Sequence, residues 1–502
     1  MMDQLFKKSF GMVAVSCIIS CGTAQQKSKL EFNSNVFEKQ EVTVNGAVLK
    51  IRAYENISYV ADPVDTVYQK INVYIPEAYF EGEDINGYTA ETAPIFFPNQ
   101  VGGYMPAKPG TAINDGKGPG GGGPGGNRQT TIALALAQGY VVASPGARGR
   151  TTQNEQGSYT GKAPAAIVDL KAAVRYLKYN DRSMPGDASR IISNGTSAGG
   201  ALSSLIGATG NNKDYEPYLL EIGAADATDD IFAVSAYCPI TNLDHADMAY
   251  EWQFNGVNNY AKRGGGGPAG GGMPQQATVA SLTDDQIRVS GQLKAMFPEY
   301  VNGLELKGKD GKLLQLDESG NGNFRDLVKS YVIASAQKAM DAGTDLSGLS
   351  WIKTGNGKIT DLDFDAYVRY MERMKTPPAF DALDLSSAEN QLFGDGATDK
   401  KHFTAFSQQN TLANGVLTDM QIVDRMNPMD YIGKAGTTIS QHWRIRHGTK
   451  DKDTGLAISV MLATLLENKG YDVSLELPWD KPHSGDYDLN ELFEWIDTLC
   501  KK

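Results

Sequence analysis

Short apolar runs mark the first half of the chain. Residues 70–75, 94–97, 140–143, 190–193 and 231–235 are rich in Ile, Val, Phe and Tyr, the pattern of strands buried on both faces of a parallel sheet. Between two of these runs the period changes. Residues 166–180 place Ile167, Leu170, Val174 and Leu177 on one helical face. Alternating strand and helix predicts an α/β fold with a mainly parallel sheet. The alternation stops near residue 241, where helical stretches such as 326–342 and 363–374 take over. It resumes with a strand at 441–446, a helix at 454–469 ended by Gly470, a strand at 473–477 and a last helix at 489–499.

The predicted organisation is an export signal at 1–20, a core in two parts at 30–240 and 432–502, and a mostly helical cap at 241–431 inserted between them. A chain of 502 residues has room for this, since single cores stop growing at roughly 250–300 residues. Two glycine-rich tracts, 116–126 and 264–272, interrupt the pattern. The first contains Gly116, Gly118 and Gly121 in a GxGxxG spacing. It follows no strand and opens no helix, so it reads as a surface loop and not a nucleotide site.

Composition narrows the function by exclusion. The net charge of -12 argues against a nucleic-acid partner, which needs clustered Lys and Arg. The four cysteines, Cys17, Cys21, Cys238 and Cys500, show no disulfide or zinc spacing. Cys238 sits in an apolar run and reads as a buried small hydrophobe. Lys7 and Lys8 precede an apolar stretch, 11–19, too short to span a bilayer. Ile18-Ile-Ser-Cys21 matches a bacterial lipobox with Cys21 as lipid acceptor; cleavage after Ala24 is the alternative. The expected location is the bacterial cell envelope, lipid-anchored, or otherwise secreted.

Gly195-Thr-Ser197-Ala-Gly199 matches the nucleophile-elbow pattern GxSxG. Five residues are weak evidence alone, but a strand precedes them and a small-residue helical run follows. A serine nucleophile needs a histidine base and an acid to orient it, in the chain order Ser, acid, His. Of five histidines, His483 lies after the last strand, where the base belongs. His442 and His447 flank a strand and read as structural. His245 reads as a cap residue that hydrogen-bonds locally or lines the site, and His402 as exposed. Asp451 follows the preceding strand in Gly448-Thr-Lys-Asp451, with Asp453 its local competitor. The oxyanion of the intermediate needs two backbone N–H donors. Ala198 supplies one, and Gly102 or Gly103, after the 94–97 strand, the other. Two cap segments, 317–322 and around 356–359, resemble calcium loops but lack key ligands, so they read as turns and no metal or cofactor is expected.

Longer strings are more specific. Gly195-Thr-Ser-Ala-Gly-Gly-Ala-Leu202, residues 232–252, 443–454 and 477–486 resemble bacterial tannases of the α/β-hydrolase superfamily, over most of the chain and including the cap. The resemblance implies hydrolysis of galloyl, and also protocatechuoyl, esters by Ser197, Asp451 and His483. It implies that Lys375, Glu389 and Asp453 hold the ring hydroxyls, and Ile240 is placed against the ring. Carboxylates accept from phenol hydroxyls and a lysine donates to them. The plainer alternative is that Lys375 and Glu389 form an exposed ion pair worth little. Rival readings are a feruloyl or other phenolic-ester esterase, a serine peptidase, and a non-catalytic surface lipoprotein.

Overall fold

The computed structural model describes residues 29–113, 130–262 and 278–501. The export signal, Cys21 and both glycine-rich tracts lie outside the described residues. In chain order the strands are β1 (Glu38–Val44), β2 (Ala47–Ser58), β3 (Lys70–Pro76), β4 (Pro94–Pro98), β5 (Val141–Pro145), β6 (Asp187–Thr196) and β7 (Ala233–Tyr237). Two short pairs follow, β8 (Asn259–Lys262) with β9 (Thr278–Ser281) and β10 (Ile352–Gly355) with β11 (Lys358–Leu362). The last strands are β12 (His442–Arg446) and β13 (Asp472–Glu476).

Nine strands form one sheet in the order β1-β2-β3-β5-β4-β6-β7-β12-β13. From β5 to β13 every neighbouring pair is parallel. The sequence placed β3 among the parallel strands, but it is antiparallel to both β2 and β5. A run buried on both faces looks the same in either direction; the connection decides. The β1–β2 hairpin was not anticipated. Its signal was present, because Asn45 and Gly46 form the two-residue turn with φ of 50° and 86°.

Helices cover the sheet. They include α1 (Ala165–Tyr179) and α2 (Ala198–Ala208). Between β7 and β12 the described residues add no strand to the nine-stranded sheet. They form α3 (Leu243–Phe254), α4 (Asp284–Gly303), α5 (Asn323–Asp341), α6 (Phe364–Met371) and α7 (Ala388–Leu392), among shorter pieces. Trp252 on α3 gathers Phe297, Phe324 and Phe364 around it, with ring centroids 5.3, 6.0 and 6.0 Å away. The chain returns through α8 (Leu456–Asn468) and ends in α9 (Leu489–Cys500). Gly470 closes α8 at φ 88°, where Tyr471 N donates to Leu466 O at 3.2 Å. Among the described residues no helix is long and apolar enough to cross a membrane.

Parallel register sets where chemistry can occur. Pro98 pairs with Asn194, Thr196 with Tyr237, Tyr237 with Arg446, and Arg446 with Glu476. The loops after β4, β6, β7, β12 and β13 therefore leave the sheet along one carboxyl edge, where open α/β sheets bind ligands. The calcium-like stretch at 317–322 is a local turn: Asp317 Oδ1 accepts the N–H groups of Ser319 and Asn321, both at 2.9 Å.

A buried ion network fixes the far end of α2. Lys171, on α1, donates to Asp229 Oδ1 and to Thr209 O, both at 2.7 Å. Arg175 Nε donates to Asp229 Oδ2 at 2.8 Å. Lys171 and Asp229 are fully buried. Removing Lys171 leaves buried Asp229 with Arg175 as its one remaining counter-charge, so Lys171→Met is expected to cost about 3 kcal/mol in urea unfolding. The Lys171→Met/Asp229→Leu pair should recover part of that loss. An unchanged midpoint in the single variant would refute the role.

Candidate functional site

Ser197 sits between β6 and α2 with φ 61° and ψ -122°, a backbone state that non-glycine residues rarely adopt. Three bonds impose it. Ser197 N donates to Tyr237 O at 2.9 Å, and Ser197 O accepts from Ala201 N at 2.9 Å and Ile240 N at 3.4 Å. Gly199 is required by contact: a Cβ there would lie 2.7 Å from both Asn99 Oδ1 and Val101 O. That contact brings the loop after β4 against the start of α2. Asn99 Nδ2 reinforces it, donating to Gly199 O and Ser203 Oγ, each at 3.0 Å. Ala198 begins α2, so its N–H has no intrahelical acceptor. Among the described residues the N–H groups of Gly102 and Gly103 also make no hydrogen bond. Both glycines are exposed.

Asp451 and His483 meet at the same edge. His483 Nδ1 lies 2.7 Å from Asp451 Oδ2. The other carboxylate oxygen, Oδ1, accepts from Asp453 N at 2.8 Å and Thr454 N at 3.3 Å. The loops are stitched together by Lys450 N donating to Lys481 O at 3.0 Å and Asp480 N to Thr449 Oγ1 at 2.7 Å. Gly485 lets the His483 loop touch the elbow, since a Cβ there would overlap Thr196 Oγ1 at 1.9 Å. Burial alone raises the Asp451 acid. The neighbouring His447 and the His483 hydrogen bond outweigh it and hold the carboxyl well below the usual range. For His483, burial pulls downward, but the Asp451 hydrogen bond and the Cys238 side chain raise the imidazole overall. No hydrogen bond links the Ser197 hydroxyl to His483 among those the described residues make. That contact commonly tightens only with substrate present.

Two neighbours of this pair escaped the sequence reading. Cys238 is buried as expected, but its thiol donates to Ser484 O at 3.4 Å, beside His483. Among the described residues, Cys238, Asp451 and His483 are the only trio of His, Cys or acidic residues whose ligand atoms lie close enough, within 4.8 Å, to hold a metal. Two of the three already bond each other. His447 is structural in one sense, pairing with Ser459 Oγ at 2.8 Å through Nδ1. Its Nε2 also lies 3.3 Å from Asp451 Oδ2, outside good hydrogen-bond geometry. Position in sequence carried no signal for either contact.

A polar cluster faces this edge from the stretch between β7 and β12. Lys375 Nζ donates to Asp453 Oδ1 at 3.0 Å and lies 3.8 Å from the Phe380 ring centre. Lys375 therefore pairs with Asp453, and the alternative reading of an exposed Lys375–Glu389 ion pair does not hold. Glu389, on α7, is buried. Burial raises its carboxyl; Lys375 and Arg150 oppose the rise while Asp453 adds to it. Tyr250 places the parts. Its hydroxyl donates to Lys452 O at 2.9 Å and accepts from Lys375 N at 3.1 Å. Ile240 is buried, its carbonyl accepting from Tyr104 OH at 3.3 Å.

The other histidines lie elsewhere. His442 bonds Asp472 Oδ2 at 2.8 Å. His245 stacks on Tyr300 at 3.6 Å and bonds Asn242 at 3.0 Å. His402 was expected to be exposed and is fully buried, bonded to Asp381 at 2.7 Å and Thr411 at 2.9 Å. A polar surrounding sequence hid a satisfied buried network.

The BD-FAE family model matches residues 122–263. No curated protein matches the chain. Solved structures do. The tannin acyl hydrolase of Lactobacillus plantarum is 47% identical, with a TM-score of 0.87 over 94% of this chain and 99% of its own. Fusobacterium nucleatum tannase is 49% identical, with a TM-score of 0.88 over 94% and 99%. A tannin acyl hydrolase in complex with ethyl gallate is 47% identical, with a TM-score of 0.87 over the same shares. With a nine-stranded, mainly parallel sheet and this identity over nearly its whole length, the chain belongs to the bacterial tannase family of α/β-hydrolases and is a carboxylic ester hydrolase.

Proposed function

We propose that the enzyme hydrolyses galloyl esters, of tannins or simple alcohols, by a serine mechanism with an acyl-enzyme intermediate. The observation that carries this reading is the turn 451–453. There one carboxylate bonds His483 and the next but one bonds Lys375, so a base and a phenol-binding cluster are presented together. The tannin acyl hydrolase structure with ethyl gallate supports the choice of acyl group.

In the proposed reaction Asp451 holds His483 by Nδ1, which leaves Nε2 to take the Ser197 proton. The Ser197 oxygen then bonds the ester carbonyl carbon. The N–H groups of Ala198 and of Gly102 or Gly103 receive the oxyanion. His483 returns the proton to the leaving alcohol, and the galloyl group stays on Ser197. Water, deprotonated by His483, releases gallate and restores the serine. Asp453 and Glu389 accept from the ring hydroxyls and Lys375 donates to them. A site built on such bonds rejects rings without them. Protocatechuoyl esters, which keep two adjacent hydroxyls, fit the same cluster. The segment 241–431 acts as the cap that brings Lys375 and Glu389 over the elbow.

Ser197→Ala should lower kcat on methyl gallate by about 10⁴-fold or more, and retained turnover would overturn the serine mechanism. Asp451→Asn should cost about 10⁴-fold in kcat. The base works when neutral, so activity falls as pH drops through the His483 pKa. Asp451 raises that pKa. Its loss should therefore move the acid limb of the pH–rate profile to lower pH. An acid limb that stays in place would contradict the pairing.

Recognition is tested separately. A hydrogen bond to a charged group contributes about 1.5–3 kcal/mol, so Asp453→Ala or Glu389→Ala should reduce kcat/KM for methyl gallate about 10- to 150-fold. The loss on phenyl acetate should be far smaller. Equal losses would sink the assigned role, and a wild-type preference for methyl ferulate over methyl gallate would favour a feruloyl esterase.

A further inference from the structure

Arg150 lies where the sheet edge meets the helical segment. Its backbone N donates to Tyr104 O at 2.9 Å, and its Nε donates to Gly103 O at 2.9 Å, in the loop after β4. Its Nη1 donates to Gln391 Oε1 on α7, two residues beyond Glu389. Gln391 is anchored from the other side. Its Nε2 donates to Asp399 Oδ1 and Oδ2 at 2.9 and 3.1 Å, and Lys162 Nζ donates to Asp399 Oδ1 at 2.7 Å. Lys162, Asp399, Gln391, Arg150 and Gly103 thus form one continuous chain.

The chemistry of each link matters. Gly103 has φ 54° and no side chain, so its own packing does little to fix the direction of its peptide groups. A bond to its carbonyl supplies that restraint. A guanidinium is a rigid planar fork that can hold two acceptors in a fixed relation, which the single ammonium of a lysine does less well. The same fork faces Glu389 with a positive charge that opposes the effect of burial on that carboxyl.

We infer that Arg150 is a positioning residue that couples the oxyanion loop at Gly103 to Glu389 on α7, so that the ester carbonyl and the acyl ring are held in one frame. The inference rests on the galloyl-esterase reading. Neither the sequence motif nor the resemblance singled out Arg150. Its signal is spatial, since Gly103, Arg150 and Gln391 are far apart in the chain.

The test compares Arg150→Gln, Arg150→Lys and Gln391→Ala on methyl gallate and phenyl acetate, with thermal unfolding as the control for folding. Arg150→Gln should lower kcat on both esters about 10-fold, because small displacements of reacting groups are costly. It should also lower the methyl gallate to phenyl acetate ratio of kcat/KM about 10-fold further, as the charge-assisted restraint on α7 is lost. Arg150→Lys keeps the charge but should restore the ratio only in part. With the positive charge gone, Glu389 protonates more readily, so the acid limb for methyl gallate should move to higher pH in Arg150→Gln and not in Arg150→Lys. Gln391→Ala should lower the ratio as well.

An Arg150→Gln enzyme with wild-type unfolding, whose kcat and ratio stay within about twofold of wild type, overturns the coupling. If that variant does not fold, an unchanged ratio in folded Gln391→Ala overturns it instead. Asp453→Ala is measured alongside. A ratio lost in Asp453→Ala but kept in Arg150→Gln removes the coupling and leaves the galloyl reading intact. A ratio unchanged in both removes the galloyl reading, and the inference with it.

Discussion

Asp451 has no exposure to solvent, yet its carboxylate stays ionised because each oxygen has partners. One oxygen takes His483; the other takes the backbone of Asp453 and Thr454. A buried charge without such partners would be expensive. The turn 451–454 therefore folds around its own carboxylate, and that fold turns Asp453 toward Lys375. Much of the site follows from this one satisfied charge. The His483 loop is stitched to the turn, and Gly485 brings that loop against Thr196, next to Ser197. Tyr250 then joins the turn to the segment that carries Lys375.

The sheet supplies the frame for that charge. Five parallel strand ends lie along one edge in continuous register, so residues hundreds of positions apart emerge side by side. The elbow adds local strain at Ser197, held by bonds to the neighbouring strand and to its own helix. The distant end of that helix is tied down by Lys171 at Thr209. Strain at Ser197 is thus supported from both ends of α2, by backbone bonds at one and a buried ion network at the other.

Much of this was legible in the sequence, for physical reasons. Strands buried on both faces read as apolar runs, and the segments at 94–97, 190–193, 231–235 and 441–446 all became strands of the sheet. Direction was less legible: a buried run at 70–75 carries no mark of its antiparallel pairing. The Asn45–Gly46 turn does carry a mark, the dipeptide that a two-residue hairpin loop favours. Ser197, Asp451 and His483 stood out by order and by position after strands. Lys375 and Glu389 had no local signal and came only through the resemblance to tannases. Cys238, His447 and Arg150 were invisible because their contacts are made across the fold. His402 misled because the polar residues around it, Asp381 and Thr411 among them, turn inward to bond it.

The turn 451–453 also bears on how far the enzyme can be retargeted. In the proposed reaction the residue that orients the base and one that reads the ring are two positions apart on a single backbone loop. Every residue except proline at position 453 keeps the backbone N–H that Asp451 accepts, so ring preference can change there while His483 stays oriented. Glu389 sits on a separate short helix, positioned by its own capping box and by Asn390 bonding the buried Asp381. In the proposed reaction, substrate range and catalytic power are therefore separable at both ends of the ring cluster, and proline at 453 is the one substitution that would join them.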